Sequence, residues 1–122
     1  MNILLIDDDR TFRDGREYTL ITSSGEAVEH FSNADGSIKD LFYDEVWLDF
    51  SLRGSDSIMD FVFFASKQSL HEGEALKVGC FVIHTSSWPG ATLIAQVLSE
   101  AGYTHRRFDL DAQDNRKILS NI

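Results

Sequence analysis

Three short runs of almost uninterrupted apolar residues, at 3–6, 46–48 and 78–83, restrict this chain more than any other feature. A strand with one wet face alternates polar and apolar side chains. A continuous run is apolar on both faces and has to be covered from both sides, which is the signature of a parallel sheet between two layers. Two further runs, 18–22 and 104–110, bring the set to five. The last alternates, with Arg106, Phe108 and Leu110 set against Arg107 and Asp109, and belongs at a sheet edge.

Helical patterns fill the gaps. Ser23 stands three residues before Glu26, the spacing of a capping box, and Ala27, Val28 and Phe31 then share a face. The segment 32–36 breaks that helix, and Ile38, Leu41 and Phe42 predict one or two further turns. Another helix starts within 57–60 and runs to about Lys67. Pro89 sits in the first turn of the next, Ile94, Val97, Leu98 and Ala101 form its stripe, and Gly102 suits the position just past its end. Ile118, Leu119 and Ile122 predict a final amphipathic helix after Asp111. The link 9–17 is close to the shortest that joins two parallel strands, so a first helix is short or absent. Strands alternating with helices predict one α/β domain over residues 1–122, a doubly wound, mostly parallel sheet in the order 2-1-3-4-5.

Composition narrows the setting. With 122 residues and 43% of them hydrophobic, the chain can build an ordinary core without staples. Cys80 is its one cysteine, which rules out an internal disulfide, and its apolar neighbours predict a buried, inert thiol. A net charge of −9 repels phosphate backbones, so binding to bulk DNA or RNA is not expected. The apolar stretch after Met1 is too short for a signal peptide, and no segment has the length to span a bilayer. A soluble, cytoplasmic protein is the expectation.

The acids fall where such a sheet places its ligands. Open parallel sheets bind outside the carboxyl ends of their strands, at the point where strand order reverses. Asp7 and Asp8 end the first strand and Asp49 ends the third, and these two strands are neighbours in the order 2-1-3-4-5. Hard divalent cations such as Mg²⁺ take oxygen ligands, often one or two carboxylates with waters. Like charges gathered without a cation raise one another's pKa and cost stability. Aspartate is also common at loop caps and strand ends, a role that needs no metal.

Read as motifs, these residues resemble a response-regulator receiver domain, a flavodoxin-like three-layer fold. Met1-Asn-Ile-Leu-Leu-Ile-Asp-Asp-Asp9 is similar to the receiver's first strand and acidic pair, Val46-Trp-Leu-Asp49 to the strand carrying its phospho-acceptor, and Val82-Ile-His-Thr85 to the strand ending in its switch Thr or Ser. The nearer resemblance is to the cyclic-phosphate processing receiver variant, frequent in phage and bacterial proteins. It is carried by Asp7-Asp-Asp-Arg10, by part of Leu48-Asp-Phe-Ser-Leu52, and by His84 and Gly90 of His84-Thr-Ser-Ser-Trp-Pro-Gly90. The resemblance implies that Asp8, Asp49 and the Ser51 carbonyl ligate Mg²⁺ and that Asp7 holds it through water. It implies that Asp49 accepts a phosphoryl group and Thr85 contacts its oxygens. His84 and Arg10 would then line the site for a cyclic phosphate, the histidine moving a proton and the arginine gripping oxygens. Phe50 and Ser51 stand where the variant has His and Asp, Ser87 and Trp88 where it has Asn and Pro, and no lysine follows the fifth strand, where Arg106 and Arg107 lie near.

Three functions follow from these residues: metal-assisted action on a phosphate ester or cyclic phosphate, a stand-alone phospho-acceptor, or a degenerate receiver serving as a protein-interaction module. The third draws on the helix holding Ile58, Phe61 and Val62, which also carries Phe63 and Phe64. One of this pair is left toward solvent, where it could contact a protein partner or a second copy. Ser86 and Ser87 read as helix caps. His30, His71 and His105 read as surface or structural residues, with no zinc spacing among them. The acids at 109, 111 and 114 read as a solvated helix start.

Overall fold

The computed structural model describes residues 1–112 and 114–121. Five parallel strands form one sheet in the order β3-β1-β4-β5-β6, with β1 Ile3–Ile6, β3 Thr19–Ile21, β4 Phe42–Leu48, β5 Lys77–Ile83 and β6 His105–Arg107. This is the predicted order 2-1-3-4-5, renumbered because a short strand β2, Thr11–Phe12, precedes β3. β2 pairs antiparallel with β7, Leu119–Ser120, in a separate two-stranded ribbon. Three helices complete the fold: α1 Ser24–Phe31, α2 Met59–Leu70 and α3 Trp88–Glu100.

The period of two along each strand separates two cores. Leu4 and Ile6 of β1, Val46 and Leu48 of β4, and Phe81 and Ile83 of β5 meet the apolar faces of α1, α2 and α3. Ile3, Leu5, Trp47 and Val82 point the other way, onto Phe12, Phe108, Leu110 and Leu119. All three helices thus cover one face. The other is covered by the ribbon and the segment after β6, with Phe12 and Phe108 packed edge-on against Trp47 at 4.9 and 4.8 Å.

The caps form as predicted at two helices. The Ser23 hydroxyl accepts from the Glu26 amide at 3.1 Å and the Ser87 hydroxyl from the Gly90 amide at 3.1 Å, and Pro89 lies in the first turn of α3. Gly102 follows α3 with φ +83, a left-handed end that favours glycine.

Several expectations need correction. Ile38, Leu41 and Phe42 form no helix: Ile38 bridges Ser32, and Phe42 opens β4, which the sequence reading began only at Val46. Residues 115–117 make a single 3-10 turn, after which Leu119 enters β7, so no final amphipathic helix forms among the described residues. Ile122, assigned to that helix, lies outside them. Without that helix, Asp109 serves a turn instead, its carboxylate accepting from the Asp111 amide at 2.9 Å. Cys80 is half-buried rather than buried, and burial with the nearby Glu45 charge pushes its thiol up, against the pull of Arg106. Finally, β6 stops at Arg107, because Phe108 and Leu110 turn inward onto Trp47 and its neighbours.

Candidate metal and phosphate site

Register brings the candidate residues into one row. Ile6 pairs with Leu48, and Leu48 with Ile83, so the next residues on the three strands, Asp7, Asp49 and His84, leave the sheet at the same level. Backbone bonds extend the ladders by one step: the Asp49 amide donates to Ile6 O at 3.3 Å and the His84 amide to Leu48 O at 2.9 Å. This edge is the carboxyl end of β1 and β4, the point of reversal between β3-β1 and β4-β5-β6.

Asp7 is buried, and its own chain engages both its oxygens. Oδ1 accepts from the amides of Asp9 and Arg10 at 2.9 and 3.0 Å, folding the acidic loop into a tight turn. Oδ2 meets His84 Nε2 at 2.8 Å, with both side chains fully buried. Burial pushes the Asp7 carboxyl up, but the His84 hydrogen bond and charge and the two amides outweigh it and hold it below the ordinary 3.8. The other ring nitrogen of His84, Nδ1, is buried without a partner. An ionised Asp7 can only accept, so Nε2 carries the proton donated to it. The ring lies 5.9 Å from that of Trp47 and is not part of the cleft wall.

Asp49 is in the opposite situation. It is 6% exposed, and burial together with the charge of Asp7 pushes its carboxyl above 3.8, despite His84, Arg10 and Thr85. Arg10 reaches it with Nη1 at 3.1 Å from Oδ2, while the same nitrogen lies 3.7 Å from Asp7 Oδ2. Asp8 is half-buried, and one carboxylate oxygen from each of Asp7, Asp8 and Asp49 lies within 4.8 Å of the others. The donor set fits a hard divalent cation. It is all oxygen, it faces an open cleft, and burial together with the charge of Asp7 pushes the Asp49 carboxyl up, which a bound cation would offset.

The cleft holds about 340 Å³ and is walled by Asp8, Asp9, Arg10, Asp49, Ser51, Arg53, Thr85, Ser86 and Ser87. Its loops are braced from behind. Gly54 takes φ +68 in the turn after Asp49, closed by the Leu52 amide on Asp56 O at 3.1 Å. The Asp56 carboxylate in turn accepts from the Ser24 amide at 2.9 Å and hydroxyl at 2.5 Å. Phe50 turns away from the cleft and packs on Gly90, where a Cβ would come within 2.5 Å of its ring. Thr85 Oγ1 accepts from the Ser87 amide at 3.2 Å. Its carbonyl accepts from Arg107 Nη2 at 3.4 Å, and the Arg107 guanidinium stacks on Trp88 at 3.9 Å.

The structure therefore gathers Asp8, Asp49, Ser51, Thr85 and Arg10 around one cleft and sets Asp7 and His84 behind it. Asp9, Arg53, Ser86 and Ser87 also line it; the sequence reading gave the two serines as helix caps, of which Ser87 alone caps α3, and gave Arg53 no role. Phe63 is the solvent-facing member of its pair at 53% exposure, while Phe64 packs against the core. His30 is structural: its Nε2 lies 2.7 Å from Tyr43 Oη, and burial with the Lys39 charge holds its pKa down.

No protein-family model and no curated protein matches this sequence. Among solved structures, the phosphorylated cyanobacterial phytochrome response regulator RcpA is similar in fold. The TM-score is 0.58 at 13% identity, covering 95% of this chain and 84% of that one. No helix among the described residues is long and apolar enough to cross a membrane. With its five-stranded parallel sheet and three helices, the chain has a receiver-like, flavodoxin-like fold.

Proposed function

We propose that the cleft is a divalent-cation and phosphate site, and that the protein acts on a phosphate ester or cyclic phosphate held there. One observation carries the reading: carboxylates from two distant stretches, Asp8 and Asp49, converge within 4.8 Å in a cleft that also presents Arg10 and Thr85. Cation ligands and anion donors side by side are what phosphoryl chemistry needs. The Asp8 and Asp49 carboxylates and the Ser51 carbonyl would hold Mg²⁺, which when bound neutralises charge on phosphoryl oxygens. Arg10 binds oxygens of the phosphate through guanidinium N–H groups not directed at Asp49. Thr85 offers its hydroxyl to another oxygen. Asp49 is the carboxylate placed either to accept the phosphoryl group or to orient a water.

In this reading Asp7 is a positioning residue. With both its oxygens engaged by the protein, it shapes the loop that carries Asp8 and Arg10, and His84 locks it. His84 touches the chemistry through Asp7 rather than through substrate.

Calorimetry with Mg²⁺ tests the site. The wild type binds one equivalent and Asp8→Asn loses at least tenfold in affinity. Unchanged affinity in that variant would remove the basis of the proposal. Turnover of a 2′,3′-cyclic phosphate, lost in Asp49→Asn, supports action on the ester. Acid-labile labelling of Asp49 by acetyl phosphate without such turnover would instead assign the stand-alone phospho-acceptor. A further reading has its own observation: Phe63 and Leu70, seven residues apart on α2 and on the same face as Lys67, are 53% and 54% exposed, two apolar side chains open to a protein partner or a second copy.

A further inference from the structure

Beside the metal cleft lies a second cavity of about 270 Å³, and the two share Arg10 and Ser86. Its far wall comes from the other end of the chain, through Arg116, Ser120 and Asn121, held in place by the β2–β7 ribbon. Asn121 donates to the Asp9 carboxylate at 3.1 Å, tying that wall to the acidic loop. Leu110 and Leu119, 9% and 1% exposed, supply an apolar floor. Arg116 is exposed and makes no ion pair with another described residue, although Asp111 shares the cavity wall. In a chain of net charge −9, two guanidiniums, Arg10 and Arg116, line this one cavity beside a single acidic residue, Asp111, a local balance against the overall field.

We infer that this cavity is a substrate subsite, and that the ligand is a small organic bisphosphate whose second phosphate is held by Arg116 while the first sits in the metal cleft. The inference rests on the function proposed above and names its substrate class. A volume near 270 Å³ is at the small end of ligand pockets and suits a sugar-sized body lying on Leu110 and Leu119. Arginine holds a phosphate with two parallel N–H bonds, so a second phosphate gains a directed contact as well as charge. Ser120 and Asn121 add neutral hydrogen-bonding groups at the rim.

The test is calorimetry at saturating Mg²⁺ with two probes, fructose 1,6-bisphosphate and fructose 6-phosphate. The wild type is expected to bind the bisphosphate at least tenfold more tightly. Arg116→Gln removes that preference and leaves Mg²⁺ affinity and the melting temperature unchanged, and Arg116→Lys restores part of it. Equal affinity of the wild type for both probes, binding of neither, or a preference that survives Arg116→Gln would each overturn the subsite. Loss of Mg²⁺ binding is read separately with Asp8→Asn, so failure of the metal site and failure of the subsite give different results.

Discussion

Replacing His84 by leucine isolates the contribution of the buried pair that sets the acidic loop. Both side chains of the pair are fully buried, and Asp7 Oδ2 has His84 Nε2 at 2.8 Å, with Arg10 Nη1 next at 3.7 Å. Without the imidazole, Oδ2 is left with a poor donor, and breaking one side of a buried pair costs about 3–5 kcal/mol. Two features soften that figure. Oδ1 keeps its two amide donors, and leucine fills the space while removing the unpartnered Nδ1. The expected loss is about 2–4 kcal/mol, on the order of 10 °C in melting temperature for a domain of this size. Urea unfolding at neutral pH measures it, with an unchanged m-value showing that the folded and unfolded ensembles are comparable. The acid limb gives a second readout. Asp7 is held below 3.8, so its contribution is present above the unfolded pKa and is lost as pH falls through the folded one. Its carboxyl rises when His84 is gone, and the acid loss of stability then begins at higher pH. A variant within about 1 kcal/mol of wild type, with the same acid limb, would refute the idea that this pair positions the loop.

Asp49 carries the opposite sign. Burial and the Asp7 charge raise its carboxyl above 3.8, so stability falls as pH rises through that raised value, and Asp49→Asn in metal-free buffer is expected to melt higher than wild type at neutral pH. Scanning calorimetry in chelator checks it; a lower melting temperature would mean that the Arg10 pairing outweighs burial. Gly90→Ala places a Cβ within 2.5 Å of the Phe50 ring, inside the packing that supports the loop after Asp49. It is expected to cost about 1–3 kcal/mol and to weaken Mg²⁺ binding severalfold, whereas Ala at the open position Gly25 does neither.

The sheet was legible because its central strands are apolar on both faces, and that pattern has few alternatives. Once the order was set, the position of Asp7, Asp8 and Asp49 followed from the rule that strand carboxyl ends carry ligands. The ribbon was not legible. Strands of two residues, such as Thr11–Phe12 and Leu119–Ser120, have no period, and the spacing of Ile118 and Leu119 fits a helical stripe as well. That missed pairing also hid Arg116, since nothing local to residue 116 indicates that the chain end folds back beside Arg10. Phe42 was misread because the start of β4 carries Asp44 and Glu45, which break the apolar pattern that marks its other end. The engagement of Asp7 by His84 depends on the Ile6–Leu48–Ile83 register, which joins residues 77 positions apart. The two residues are visible in sequence but their pairing is not.

The account stands on one ion bridging two remote stretches of chain. Titrating ¹⁵N-labelled protein with trace Mn²⁺ and recording amide spectra locates that ion directly. Selective broadening of Asp8, Asp9, Asp49, Ser51 and Thr85, reversed by excess Mg²⁺, is the predicted result. Broadening confined to exposed acids elsewhere, such as Asp109 and Asp111, with the β1 and β4 ends untouched, would contradict it.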